Sequence, residues 1–199
     1  INDPVGDRSG EAFWIRDDET GRLWSPTPLP SRGVGPYRIR HGFGYTVYEH
    51  EEGGVASALW VFVHPELPVK YAVLRLRNTS GRARRLTTTG YVEWVLGERR
   101  SRTQLHVRTE VDASTGALLA RNVYSIEFSR EVAFFQVDDP TRTVTADRTE
   151  FLGRNGALAR PAALHAVRLS GRTGAGLDPC GALQVGTPLM DGEEREIVF

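Results

Sequence analysis

The sequence predicts an all-β fold, a large antiparallel β-sandwich. Three observations carry this. About a dozen short stretches alternate apolar and polar residues with the period of two that a half-buried strand requires. Gly, Pro and Asp-rich turns punctuate those stretches at regular intervals. No segment sustains the 3.6-residue period of a helix over the roughly 11 residues needed to recognise one.

Residues 1–10 are polar and turn-rich and read as a lead-in loop. Residues 11–24 read as a hairpin: Phe13 and Ile15 point one way, Trp14 and Arg16 the other, and 17–21 (DDETG) is turn chemistry in which Gly21 takes positive φ cheaply. Leu23 and Trp24 begin the return. Pairing then stops in 25–30 (SPTPLP), because proline has no N–H to donate to a ladder. A stiff loop beside Trp24 suits the wall of a sugar site, with an indole face against the C–H face of a pyranose. A corner that packs Trp14 and Trp24 into the core is the competing expectation, and for an indole the commoner one.

Residues 37–41 read as a short strand, interrupted by 42–44 (GFG) and resumed over 45–51. Residues 55–64 (VASALWVFVH) are apolar on both faces and read as an interior strand. In 69–78, Ala72, Leu74 and Leu76 continue the core while Arg75 and Arg77 face outward. Residues 85–96 are rich in β-branched and aromatic residues; 97–101 is a charged loop. The stretch 105–112 sets Leu105, Val107 and Val111 against His106, Arg108, Glu110 and Asp112. Residues 112–116 (DASTG) repeat the D-x-x-T-G of 17–21, which predicts the same hairpin geometry twice. Further strands are expected over 117–122, 132–137, 143–145, 183–187 and 195–199. The charged, glycine-containing run 148–156 reads as an ordered loop, 164–169 as a strand or a turn of helix, and 171–181 as a glycine-rich loop.

The 199 residues are enough to bury a sizeable core and are expected to form one domain, 1–199, cut from a longer protein at both ends. Lys plus Arg and Asp plus Glu number 25 each, so the balanced charge argues against a general attraction to nucleic acid or anionic lipid. Only Lys70 is a lysine; the arginines suit hydroxyl and carboxylate recognition, although compositional bias explains them equally. Cys180 stands alone, so no internal disulfide and no cysteine-based zinc site is available. No apolar run approaches membrane-spanning length.

The histidines (His41, His50, His64, His106, His165) form neither H-x-H nor H-E-x-x-H, and no metal site is expected. There is no G-x-S-x-G, and 171–176 (GRTGAG) lacks the ending and setting of a phosphate loop. Glycosidic chemistry uses two carboxylates; Glu11, Asp17, Glu93, Glu110 and Glu150 are available, though a solvated face is the default for each. Glu93, between Tyr91 and Trp94, is the least ordinary. Arg148, Glu150, Arg154 and Asn155 crowd around Phe151 and Leu152; buried ion pairing of a loop is the first expectation, and donors offered to a glycan or a neighbouring domain the second. The carbohydrate-binding candidates are thus Trp14, Arg16, Trp24, Arg154 and Asn155.

Five long stretches, 3–30, 35–55, 78–97 (NTSGRARRLTTTGYVEWVLG), 147–156 (DRTEFLGRNG) and 174–184 (GAGLDPCGALQ), together resemble the inverting disaccharide phosphorylases typified by cellobiose phosphorylase, glycoside hydrolase family 94. The last two are similar to the cyclic β-1,2-glucan synthase branch. The resemblance implies a supersandwich of galactose-mutarotase-like type that precedes an (α/α) barrel carrying the catalytic aspartate and the phosphate-binding residues. It implies a non-catalytic domain with no catalytic residue and no cofactor of its own, inorganic phosphate being a co-substrate of the parent enzyme. The implied partners are a β-glucan oligosaccharide, the C-terminal helical barrel of the same parent chain and a second copy in a homodimer. The implied location of the parent is the cytoplasmic side of a bacterial inner membrane. A freestanding mutarotase-like enzyme using His64, His106 and Glu93, or a purely structural domain, are the alternatives.

Overall fold

A computed structural model describes residues 10–125 and 129–199. The lead-in loop expected over residues 1–10 falls, except for Gly10, outside them. In chain order the strands are β1 (Glu11–Asp17), β2 (Leu23–Trp24), β3 (Tyr37–Gly42), β4 (Tyr45–Glu52), β5 (Val55–Val63), β6 (Lys70–Asn78) and β7 (Arg84–Glu93), followed by the one-turn helix α1 (Arg100–Thr103). Then come β8 (Val107–Val111), β9 (Leu118–Asn122), β10 (Ala133–Phe135), β11 (Thr143–Asp147), the short helix α2 (Arg148–Leu152), β12 (Pro179–Leu189) and β13 (Glu194–Val198). The first sheet has the order β11-β12-β7-β1-β2, the second β13-β6-β5-β4-β3, and a small third sheet β10-β9-β8. Every pairing is antiparallel. The predicted all-β sandwich is the observed fold.

The main core lies between the first and second sheets. The first sheet contributes Phe13, Ile15, Leu86, Leu183 and Val185; the second answers with Val55, Leu59, Leu74, Leu76 and Ile197, and the third closes one end with Val107, Leu118 and Phe135. Gly90 is a packing residue here. A Cβ at that position would sit 2.8 Å from the Phe199 ring and 2.9 Å from the Phe135 ring.

The first sheet buries its other face too. Ala12, Trp14, Tyr91, Cys180 and Ala182 pack under Phe151, Leu152, Leu164 and Leu169, supplied by α2 and the connection that follows it. Strand β1 is therefore buried on both sides over Ala12–Ile15.

The two D-x-x-T-G turns are built alike. Gly21 N–H donates to Asp17 O at 2.8 Å and Gly116 N–H to Asp112 O at 2.7 Å. The Thr20 hydroxyl donates to Asp17 Oδ2 at 2.8 Å and the Thr115 hydroxyl to Asp112 Oδ2 at 2.6 Å. The closing glycines have φ of 70° and 68°.

Several local expectations are corrected. Residues 42–44 do not interrupt one strand; they reverse the chain, and β3 and β4 pair as a hairpin. Leu105 is exposed, because residues 104–106 form a 3-10 turn before β8 begins. Residues 148–152 form a helix rather than a loop. Asp147 caps it by accepting from Thr149 N–H at 3.0 Å, with Glu150 in the first turn and Gly153 ending it at φ 89°. Of the two readings of 164–169, the turn of helix applies, a 3-10 turn over Ala162–His165. Strand β12 is twice the expected length. Gly181 within it leaves room for Trp94 Cζ2, which a Cβ would meet at 2.9 Å, so this glycine is a close approach and not a turn.

Candidate functional site

Among the described residues, two clefts bear on the candidate side chains. The larger, about 1130 Å³, lies at the end of the sandwich where β1, β6, β7, β10 and β13 converge, and includes Phe13, Tyr71, Glu93, Trp94 and Phe134 in its lining. The smaller, about 670 Å³, is lined by Glu98, Arg102, His106, Asn122 and Tyr124, with His106 stacked on Tyr124 at 4.4 Å.

A polar cluster sits where β7 ends. Strand alternation puts Tyr91 and Glu93 on the same, outer face of the first sheet. Glu93 Oε1 accepts from the Tyr91 hydroxyl at 2.9 Å and from Arg148 Nε at 2.8 Å. Arg100 Nε lies 3.3 Å from Glu93 Oε2 as an ion contact without hydrogen-bond alignment. Arg100 Nη2 donates to Asp178 Oδ1 at 2.6 Å and Arg148 Nη1 to Asp178 Oδ2 at 3.4 Å, which closes a four-membered ring of charge. Burial, then the neighbouring Cys180 and Glu93, push the Tyr91 phenol well above its usual range. Desolvation works against the Arg148 charge, but Glu93 outweighs it and raises the guanidinium pKa further. The cluster ties α1, α2, β7 and the start of β12 together. Glu93 is spent on protein donors, whereas a general base needs a lone pair within reach of substrate.

The other carboxylates raised as candidates also have partners. Glu11 pairs with Lys70 at 2.5 Å, Glu110 with Arg121 at 3.6 Å, and Glu150 accepts from Thr145 at 3.0 Å and Ser170 at 2.7 Å. Asp17 is enclosed with Arg84. His64 Nδ1 accepts from Glu66 N–H and Leu67 N–H, both at 3.1 Å, and stabilises its own turn. Glu93 lines the larger cleft, His106 the smaller, and His64 neither.

The expected aromatic wall is corrected. Trp14 and Trp24 are each 1% exposed, Trp24 in the main core and Trp14 beneath α2. Neither indole has a face free for a sugar, because both sides of the first sheet are covered. Arg16 is likewise turned to the protein: its Nη1 donates to Ala166 O at 2.8 Å and also reaches Leu164 O. It pins the 3-10 turn against the sheet.

Arg154 and Asn155 are exposed in the turn after α2. The structure brings that segment to the proline loop through Ser31. Trp14 Nε1 donates to Ser31 Oγ at 3.0 Å, and Ser31 Oγ donates to Ala159 O at 2.6 Å. Of the five predicted residues, two are therefore open to ligand and three hold the scaffold beneath them. Among the described residues, no group of His, Cys, Asp and Glu could hold a metal ion, and no helix is long and apolar enough to cross a membrane.

Comparison with known proteins bears on this arrangement. All of residues 1–199 match the family described as "Glycosyl hydrolase 94, supersandwich domain". The chain is 38% identical over 200 residues to the cyclic beta-(1,2)-glucan synthase NdvB of Rhizobium meliloti (strain 1021), a match that covers 100% of this chain and 7% of the relative. It is 33% identical over 189 residues to the solabiose phosphorylase of Paenibacillus borealis, covering 92% and 24%. It is 28% identical over 198 residues to an N,N'-diacetylchitobiose phosphorylase of Vibrio furnissii, covering 94% and 24%. The chain thus spans a quarter or less of the length of these relatives. It belongs to the glycosyl hydrolase 94 supersandwich-domain family.

Proposed function

We propose that this chain is the non-catalytic, glucan-associated sandwich of a longer glycoside phosphorylase or cyclic β-1,2-glucan synthase. In that reading it packs on an (α/α) barrel elsewhere in the parent chain, which supplies the catalytic acid and binds inorganic phosphate. The exposed turn at Arg154 and Asn155 and the adjoining proline loop form a rim toward the glucan. A homodimer and a parent located on the cytoplasmic side of the inner membrane belong to the same reading. The observation that carries it is dispersal: His64, His106 and Glu93 do not share a cleft, and Glu93 is held by Tyr91 and Arg148. Acid–base chemistry at an anomeric carbon needs two such groups on either side of one sugar.

The test is an assay of the purified chain. Polarimetry of glucose anomer interconversion, and phosphate-dependent release of sugar phosphate from β-1,2-glucan, should both stay at the buffer rate. Turnover above that rate that is lost in His106→Ala or Glu93→Gln would overturn the proposal in favour of a freestanding enzyme.

A further inference from the structure

The outer face of the second sheet carries no second layer among the described residues; apart from Val47, its side chains are partly or fully exposed. Register places Gly42, Tyr45, Phe62 and Tyr71 in one row across β3, β4, β5 and β6, with Trp60 over Val47 in the next. The rings are already organised. Tyr45 lies across Gly42, where a Cβ would come within 2.1 Å of its Cζ, and stacks with Trp60 at 5.4 Å and 26°. Phe62 stacks with Tyr71 at 5.3 Å and 23°. The Arg75 guanidinium sits 6.0 Å from the Trp60 ring centre.

The charges that flank these rings balance. Arg40 pairs with Glu49 at 2.6 Å and Arg75 with Glu196 at 2.6 Å on the same face. An anionic partner or a nucleic acid requires a patch of one sign. Register sets the rings in two adjacent rows and most of the paired charges in the row beyond them, with Arg40 at the edge. A neutral polyhydroxyl chain matches both features: its axial C–H faces lie on aromatic rings, and its equatorial hydroxyls reach arginine donors and carboxylate acceptors at the edges. Rings held in place before binding lose little conformational freedom when a ligand arrives.

We propose that this aromatic platform, centred on Trp60 and Tyr45, binds a neutral β-linked gluco-oligosaccharide. The ligand class rests on the reading given under Proposed function; the platform itself does not.

Trp60 makes the test direct. The other three tryptophans are buried, so a ligand on this face changes the emission of Trp60. Titrating the chain with linear β-1,2-gluco-oligosaccharides should give a saturable fluorescence change with a dissociation constant on the order of 1 mM. Tyr45→Ala and Trp60→Ala, the latter followed by calorimetry, should weaken binding about tenfold or more, with melting temperatures close to the parent's. Trp60→Phe should retain most of the affinity. Absence of saturation overturns the platform, as does binding indifferent to both alanine variants. If Trp60→Ala instead abolishes self-association in sedimentation and leaves glucan affinity unchanged, the face is an interface between copies. A chain that binds no glucan and turns over no sugar loses the platform but keeps its non-catalytic role; turnover by the chain overturns that role and leaves the binding result standing.

Discussion

Arg84 Nη2 donates to Asp17 Oδ2 at 2.7 Å, and both side chains are almost wholly enclosed. The same guanidinium donates through Nη1 to Gly53 O at 2.7 Å in the turn between β4 and β5. One arginine thereby ties the end of β1 in the first sheet to a turn of the second. Removing one partner of such a pair strands a buried charge. Asp17→Ala should cost about 3 kcal/mol or more and lower the melting temperature by roughly 6 °C or more, measured by calorimetry at neutral pH.

Gly90 is the second test. Its neighbours are the Phe199 and Phe135 rings, not solvent. Gly90→Ala pushes a methyl group between them and should destabilise the chain by about 1–3 kcal/mol, as overpacking does. Urea unfolding should show a lower midpoint with an unchanged slope.

The Trp14–Ser31–Ala159 chain of hydrogen bonds holds the proline loop against the turn that carries Arg154 and Asn155. Trp14→Phe keeps the aromatic volume and removes the Nε1 donor. It should cost about 1 kcal/mol and speed limited trypsin cleavage after the exposed Arg32 and Arg154.

Acid should loosen the hairpin turns. Donors from Ser114 and Thr115 hold the Asp112 carboxyl down at about 2, from an ordinary 3.8. Asp17 is also lowered: burial opposes its charge, but bonds from Glu19 N–H, Thr20 and Arg84 prevail. A carboxylate with a depressed folded-state pKa contributes stability that is fully present above its unfolded value and lost as pH falls through the folded one. Melting temperature should therefore fall between about pH 4 and pH 2, and Asp112→Asn should flatten that fall.

Cys180 reports on the layer above the first sheet. The thiol is fully buried, and burial first, then Asp147, Asp178 and Glu93, raise its pKa well above the usual value. Labelling by a disulfide reagent at pH 8 should be at least about 100-fold slower in the folded chain than in urea, because it requires local opening. Rapid native labelling would show that the α2 layer lifts from the sheet.

Much of the fold was legible in the residues. The split of Phe13 and Ile15 from Trp14 and Arg16, the outward Arg75 and Arg77, and the twin D-x-x-T-G turns all follow from period and turn chemistry. Helix α2 had a readable signal as well: Asp147 followed three residues later by Glu150, with Gly153 closing, is the pattern of a capped helix start and a glycine stop. Its charged residues hid that signal, since five residues are too few to show a helical period. Strand β12 was hidden by Pro179, Gly181, Gly186 and Pro188, each of which reads locally as a break.

By itself the sequence determined which residues share a face and where the chain turns, because alternation and backbone φ are properties of neighbours along the chain. Only the tertiary structure decided which faces are covered. Trp14 and Trp60 both stand on strands with apolar neighbours, yet one lies under α2 and the other on a face with no covering layer among the described residues. That difference comes from pairings between segments far apart, such as β1 with β7 and β7 with β12. Burial depends on what the whole chain brings to each side of a sheet, and no local pattern contains it.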